Sequence, residues 1–213
     1  MNKSILALTA LSLTLASCGP GEPVVIPEDA VEAGRTCFVA QGMVLREGKS
    51  EGDPVTYDEF AKSLRFALAA AAEIEPFSPD KVGEIFTDVE AVKETIASQD
   101  IEGAIPACEE RFGIDGDITL PEEDAPAVLS CLSLAAFMQG AAQSSVADFG
   151  TEANDVGPLF ERLQARLESD PEVLMLMIQD GEQAMMGATR SAFAEGAPQE
   201  YVAACNARFP AAE

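Results

Sequence analysis

Four cysteines in the body of the chain are the residues whose type and spacing bear most directly on chemistry: Cys37, Cys108, Cys131 and Cys205. They lie far apart in the sequence, and none belongs to a Cys-x-x-Cys pair. This spacing disfavours zinc ribbons, haem attachment and thioredoxin-like redox chemistry, which use closely spaced cysteines. An even number of cysteines is typical of disulfide-bonded proteins in an oxidising compartment. The cysteines are therefore predicted to be structural.

Catalytic options are narrowed by the absence of histidine. Ser-His-Asp and Cys-His catalysis, histidine-ligated zinc and histidine-ligated haem are all excluded. An enzyme here would depend on carboxylates, Tyr, Lys or a cofactor. A glycosidase could use such carboxylate groups as Glu109-Glu110, Glu122–Asp124 or the set Asp53, Asp58 and Glu59. Nothing in the sequence separates them from a solvated acidic surface, so no catalytic residue is predicted.

The segment from Asp115 to Glu122 resembles the second half of an EF-hand calcium loop. In that alignment Gly116 is the turn glycine and Glu122 is the bidentate ligand at position 12. Positions 1 and 3 of the loop fall on Arg111 and Gly113, which supply no carboxylate. A turn between two helical units is the simpler interpretation. We predict no metal site and no cofactor.

The chain begins with a short basic head, Met1-Asn2-Lys3, followed by an apolar run from Ile5 to Leu15. Small residues and a cysteine follow in Leu15-Ala16-Ser17-Cys18. This pattern is typical of a secretory signal, and the run is shorter than the ~20 apolar residues that span a bilayer. The end of the signal resembles the lipobox of bacterial lipoproteins. The resemblance implies that residues 1–17 are removed and that Cys18 carries lipid. Residue 19 is Gly rather than Asp, so the resemblance implies that the lipid anchors the protein in the outer membrane, if the cell has one.

Two stretches that contain a cysteine occur twice in the chain. Ala104–Phe112 and Tyr201–Phe209 share an apolar residue, a Cys and an Arg-Phe pair at an offset of 97 residues. The segments around Cys37 and Cys131 match at an offset of 94 residues. Ser78-Pro79-Asp80 and Asp170-Pro171-Glu172 both combine a helix cap, Pro at the first helical position and an acid. Because these features recur in the same order, the sequence predicts a tandem duplication.

The stretches between these markers have helical periodicity. Thr56 and Glu59 form a capping-box pattern, and Phe60, Leu64 and Leu68 lie on one face behind it. Alanine is abundant and strand-like alternation is rare. The prediction is an all-α fold of two tandem four-helix repeats packed as one bundle, with residues 30–113 as repeat 1 and 114–213 as repeat 2. The predicted helices are ~29–47, ~57–74, ~79–98, ~101–112, ~121–148, ~157–168, ~171–195 and ~198–209. Residues 18–29, with three prolines, are predicted to be the lipidated cysteine and a tether.

The repeats predict which cysteines pair. Cys37–Cys108 and Cys131–Cys205 would each join the first helix of a repeat to its last. Each bond would close a loop of about 70 residues and contribute ~4 kcal/mol in the chain-entropy model. Pairing across the repeats is the alternative that the sequence leaves open.

Two further sets of residues are candidates for binding. Met175, Met177, Met185 and Met186 lie on one predicted helix that is apolar nearly all round. Such a helix is normally central, so these methionines are predicted to line the contact between the repeats or a groove there. Copper binding is the alternative, but core packing is the simpler interpretation. Arg111 and Arg208 are either equivalent anion-binding residues or partners of local acids and helix-end carbonyls.

The charge of the chain limits its partners. Thirteen basic and 37 acidic residues give a formal net charge of −24. This charge disfavours nucleic acid and adhesion to anionic lipid, and leaves cationic partners open. The predicted function is a membrane-anchored lipoprotein of the cell envelope, a non-enzymatic binding or structural module for a protein or a small apolar ligand between the repeats. The alternative is a carboxylate-based hydrolase or a metal-binding protein.

Overall fold

The computed structural model describes residues 21–50, 53, 55–114, 117–144 and 156–211. The predicted signal, Cys18, Asp115 and Gly116 lie outside the described residues. Within these ranges the chain is all-α, as the sequence predicts, and its only β-type pairing is an isolated bridge between Pro23 and Asp100. The helices are α1 (Ala30–Arg46), α2 (Tyr57–Glu73), α3 (Lys81–Ile85), α4 (Val89–Ile96), α5 (Ile101–Phe112), α6 (Asp124–Ser144), α7 (Val156–Ser169), α8 (Pro171–Ala194) and α9 (Pro198–Arg208). We call α1–α5 the first unit and α6–α9 the second unit.

Local capping chemistry sets several helix ends where the sequence predicts them. Thr56 accepts a hydrogen bond from the Glu59 N–H at 3.2 Å, and Glu59 accepts one from the Thr56 N–H at 2.9 Å. This reciprocal pair is the predicted capping box at the start of α2. Asp170 accepts from the Glu172 N–H at 3.0 Å, and Pro171 opens α8. Both predicted helix starts are confirmed. They could be predicted because they depend only on neighbouring residues.

The predicted helix over residues 79–98 is wrong in one respect: it is two helices, α3 and α4, separated at Asp88 with a φ of 57°. The physical reason lies on α1. The Arg35 guanidinium donates to the carbonyls of Glu84 at 2.9 Å and Ile85 at 3.3 Å. A continuous helix would use those carbonyls for the N–H groups one turn later. Arg35 therefore stabilises the end of α3 and the turn that follows it.

Both disulfides join the cysteines that the repeat model predicts. Cys37 is bonded to Cys108 and Cys131 to Cys205, with sequence separations of 71 and 74 residues. Each bond connects the first helix of a unit to its last. The sulfur atoms are buried in the core, where all four cysteines are at most 1% exposed.

One hydrophobic core runs through both units. The alanine-rich helix α2 packs on α1 of its own unit and on α8 and α9 of the other. The contact with α1 is closest at Gly34, where a Cβ atom would lie 2.4 Å from the Ala70 Cβ. In the second unit α6 packs on α7, α8 and α9 around Leu129 and Leu134, which are fully buried. The two units therefore form a single bundle, as predicted.

The helix α6 is long and apolar enough to cross a membrane by composition alone. Its stretch Asp124–Gln143 has a mean hydropathy of 1.5, and it is the only such helix in the described ranges. However, 61% of the stretch is buried within the protein. Burial against three other helices accounts for its apolar composition, so α6 serves as the core helix of the second unit.

Part of the predicted tether belongs to the folded body. The Asp100 N–H donates to the Glu22 carbonyl at 2.8 Å. Val24 is 8% exposed and packs in a small hydrophobic cluster with Val39 and Ile96. The chain is therefore fixed to the first unit from Glu22 onward, which shortens the tether that the sequence predicts.

Candidate functional site

The predicted methionine groove does not form as one surface. Met175 is 54% exposed and lines an open depression beside the start of α6. Met186 lines a different depression, together with Phe77 and Arg190. Met177 and Met185 are partly buried and pack against the core. The four side chains share a helix but are not gathered into one pocket.

The expectation that α8 is central is also corrected. Val173 is fully buried, but Leu174 and Ile178 are 39% and 79% exposed. The helix packs on its neighbours along one side, and no other described element covers the opposite side of its first two turns. The expectation that α8 is buried on all sides, which was based on its apolar composition, is therefore wrong. The structure also contains a break in the helical backbone at Asp180, in the middle of α8.

Several of the candidate carboxylates are engaged in structural contacts. Glu109 forms an ion pair with Arg65 at 2.7 Å, and Asp124 forms one with Arg208 at 2.8 Å. The pKa of Glu59 is lowered, first by a hydrogen bond from Lys49 and then by the capping hydrogen bond with Thr56. A lowered pKa is the opposite of what a general acid needs. Across the described part of the chain, no three His, Cys, Asp or Glu residues are grouped so that they could hold a metal ion.

Arg111 and Arg208 have equivalent structural roles. Arg111 donates to the Glu28 carbonyl at 3.1 Å and binds both carboxylate oxygens of Glu73 at 3.0 Å. Arg208 donates to the Glu122 carbonyl at 2.6 Å. Each guanidinium also lies over the ring of the phenylalanine that follows it. Both arginines are partners of acids and carbonyls, as expected, but these partners are distant in the sequence and the carbonyls precede helix starts rather than lie at helix ends. Each arginine holds the segment that enters the first helix of its unit.

A cavity of about 290 Å³ lies where the two units meet. Helices α1, α2 and α5 of the first unit form one side, and the start of α9 with the residue Ile114 forms the other. Three other depressions on the described surface are wider and shallower, so this cavity is more enclosed than any of them. The polar residues that line it are Gln41, Lys62, Arg65, Glu109, Gln199 and Glu200.

The cavity contains a buried polar atom with no partner. Arg65 lines the cavity, and its Nε is buried and has no hydrogen-bond partner among the described residues. A buried donor without a partner costs free energy comparable to a lost hydrogen bond, so native proteins seldom leave one unsatisfied. Gln41, which is 7% exposed, lines the same cavity and adds a second polar group to it.

Charges of both signs meet at the same cavity. Arg65 is held by its ion pair with Glu109 and by stacking over the Phe66 ring at 4.5 Å from the ring centre. Lys62 on α2 and Glu200 on α9 form no ion pair with any described residue. At the start of α9, Ala197 offers no capping side chain, so the first backbone N–H groups lack that partner. The lining therefore presents charged groups of both signs.

No sequence pattern predicted this cavity. Gln41, Lys62 and Gln199 come from three helices and belong to no motif. One signal was available: Gln41 is a polar residue on the buried face of α1, next to the fully buried Ala40 and four residues after Cys37. A buried-face glutamine in an apolar helix indicates either a hydrogen-bond partner in the fold or a ligand.

Gln199 marks the edge of the cavity. Its side-chain amide donates to the Asp58 carboxylate at the start of α2. On the far side of this hydrogen bond lies a second, more open depression between the units, lined by Tyr57, Val202 and Asn206. The contact between α2 and α9 thus closes one side of the cavity.

Comparison of the chain with protein-family models, with curated proteins and with solved structures gave no match.

Proposed function

We propose that this chain is a lipid-anchored, non-enzymatic binding protein of the cell envelope, and that its ligand occupies the cavity between the two units. The observation that carries the proposal is the cavity between the units, lined by Gln41 and by Arg65, whose buried Nε has no partner among the described residues. The anchoring rests on the lipobox-like sequence that ends at Cys18. The two parts of the proposal are independent and can be tested separately.

Export is supported by the disulfides. Both lie between buried cysteines, and such bonds persist in oxidising compartments outside the cytosol. If Cys18 carries the lipid, only residues 19–21 separate it from the part of the chain fixed to the body at Glu22. The four Cα–Cα steps from Cys18 to Glu22 span at most ~14 Å when fully extended. The body would therefore rest directly on the membrane surface.

A duplicated origin for the two units is part of the proposal. The carbonyls that Arg111 and Arg208 bind belong to Glu28 and Glu122, which are 94 residues apart like Cys37 and Cys131. Each glutamate follows a proline and lies two residues before the first helix of its unit. The short segment before that helix would then be part of the repeat in both units, rather than a linker.

A binding role is favoured over hydrolysis by the occupation of the carboxylates. Glu59, Glu109 and Asp124 are each held by a basic side chain, and Glu59 also caps a helix. General acid catalysis requires a carboxyl group with a raised pKa, whereas the pKa of Glu59 is lowered. The amide and charged side chains in the lining lie beside the apolar residues Ala61, Ile114 and Pro198, so the expected ligand has a polar part as well as an apolar one.

The anchoring is tested by replacing Cys18 with Ser and fractionating the cells. We expect the wild-type protein with the membranes and the Cys18→Ser variant in the soluble fraction. Retention of the variant on membranes at the wild-type level would contradict lipid anchoring. A Val25→Ser variant is a suitable control because Val25 is 80% exposed and close in sequence, but is not the lipidated residue.

The binding role is tested on protein purified from its own membranes. Native mass spectrometry should detect a small molecule retained by the wild-type protein and lost from a Gln41→Leu variant, which has a similar size but no amide. Circular dichroism of the variant checks that it is folded. If wild-type and variant protein retain the same molecule equally, the ligand is bound elsewhere and the assignment to this cavity is wrong.

A further inference from the structure

The charge balance of the cavity between the units is unusual for this chain. Acidic residues outnumber basic residues 37 to 13 in the whole sequence. Among the residues that line the cavity, Lys62 and Arg65 are matched by two acids, Glu109 and Glu200. Equal numbers of the two signs in so acidic a chain indicate a site suited to opposite charges at once.

The arrangement of these charges gives the site two ends. Lys62 lies on α2 of the first unit, and Glu200 lies in the first turn of α9 of the second unit. The two form no ion pair with one another, so each charge is available to a ligand. Arg65 and Glu109 are paired with each other at 2.7 Å and lie in the same lining.

Singly charged and apolar ligands fit this lining less well. An anion would meet two carboxylates and the field of a chain with a net charge of −24. A cation would meet the ammonium of Lys62 and the guanidinium of Arg65. An apolar molecule would leave the buried Arg65 Nε without a partner and would cover the unpaired charges of Lys62 and Glu200, which is unfavourable. A small molecule that carries both charges avoids each of these costs.

Building on the proposed function, we propose that the cavity binds a small zwitterion of the free amino acid class. Its carboxylate lies toward Lys62 and the unpartnered Nε of Arg65, and its ammonium group lies toward Glu200. The Gln41 amide supplies a hydrogen bond to the part of the ligand that enters deepest. A cavity of about 290 Å³ lies just below the roughly 300–1,000 Å³ range of sites for drug-sized molecules, which suits a ligand as small as an amino acid.

The proposal is tested by isothermal titration calorimetry on the full-length protein, purified from membranes in detergent. The probes are L-alanine, L-leucine and L-glutamine, each compared with its amide, which lacks the carboxylate, and its N-acetyl derivative, which lacks the ammonium charge. We expect at least one free amino acid to bind, and both of its derivatives to bind at least tenfold more weakly.

Variants place the ligand in the cavity. Lys62→Gln and Glu200→Gln should each weaken binding of that amino acid by fivefold or more, because each removes the partner of one ligand charge. Both positions are exposed at the rim, so the fold should be unaffected. Lys93→Gln is the matched control, since Lys93 lies on α4, away from the cavity lining, and its one ion pair among the described residues is with Glu90. It should leave the affinity unchanged.

The outcomes separate this proposal from the proposed function. Binding that is unchanged in the amide or the N-acetyl derivative would overturn the zwitterion assignment. Failure of all three free amino acids to bind would also overturn it. In either case, a molecule retained by wild-type protein and lost from the Gln41→Leu variant would keep the binding function in this cavity. If the wild-type protein and the Gln41→Leu variant retain the same molecules equally, both the zwitterion assignment and the proposed binding function are overturned.

Discussion

Replacing Gly34 with alanine measures how closely the first two helices are packed. Gly34 lies inside α1 and faces α2, where an added Cβ atom would lie 2.4 Å from the Ala70 Cβ. Carbon atoms in favourable contact are ~3.5–4.0 Å apart, so the two backbones would have to separate by roughly 1 Å. The Ala70 methyl group cannot rotate away because it is attached directly to the backbone. The Phe66 carbonyl and the Ile85 side chain, each 3.5 Å from the added atom, restrict a sideways shift.

Two opposing terms decide the sign of the effect. Alanine in place of glycine in a helix interior gains ~1 kcal/mol from backbone propensity. Overpacking of a close contact costs ~1–3 kcal/mol, and more where the backbone must move. Because both clashing atoms are fixed to helices, we expect the upper part of that range. The predicted net loss in the free energy of unfolding is ~1–2 kcal/mol.

A matched control lies on the same helix. At Gly42 an added Cβ atom meets nothing within 4 Å, so Gly42→Ala should gain the propensity term alone, up to ~1 kcal/mol. Urea unfolding of the disulfide-intact proteins, followed by far-ultraviolet circular dichroism, measures both changes. If Gly34→Ala is as stable as Gly42→Ala, α1 and α2 are not in the contact described and the packing argument is refuted.

Three other outcomes follow from the structure. Met177→Asp should lower the free energy of unfolding by ~1–3 kcal/mol because it places a charge against the core. Ile178→Asp is the control and should change it little, since Ile178 is 79% exposed. Equal effects of the two substitutions in urea unfolding would refute the orientation of α8. Because the pKa of Glu59 is lowered below its ordinary 4.5, its stabilising contribution is present above that pH and is lost as the pH falls through the folded-state value. The difference in stability between wild type and Glu59→Gln should thus shrink on acidification below pH 4.5, and a constant difference from pH 7 to 3 would contradict this. Removing the second disulfide with Cys131→Ser and Cys205→Ser opens a loop of 74 residues and should lower the free energy of unfolding by ~4 kcal/mol. Thermal or urea unfolding measures the change, and an unchanged midpoint would show that this bond does not stabilise the fold.

Features that depend on neighbouring residues were predictable from the sequence. The start of α2 follows from the capping box of Thr56 and Glu59, and the start of α8 follows from Asp170 and Pro171. The cysteine pairing also followed from the sequence, because the matched segments assign one cysteine to the first and one to the last helix of each repeat. The lipobox-like sequence at Cys18 remains a prediction of this kind, since it lies outside the described residues.

The break between α3 and α4 was not predictable, because its cause is distant in the sequence. Arg35 binds carbonyls about 50 residues away, and no local pattern in residues 79–98 marks that contact. The exposure of Ile178 has a similar origin. Composition indicates how apolar a helix is, but only the packing of the other helices decides which of its sides they cover.

By itself, the sequence determined the helical class and most of the helix ends, because short-range hydrogen bonds and apolar periodicity specify them, and its matched cysteine segments favoured the disulfide pairing without excluding the alternatives. The tertiary structure decided the site. Gln41, Lys62 and Glu200 meet at one cavity only because α1, α2 and α9 pack together across the boundary between the units. No residue spacing in the sequence predicts this packing, because the packing depends on the shape of the shared core.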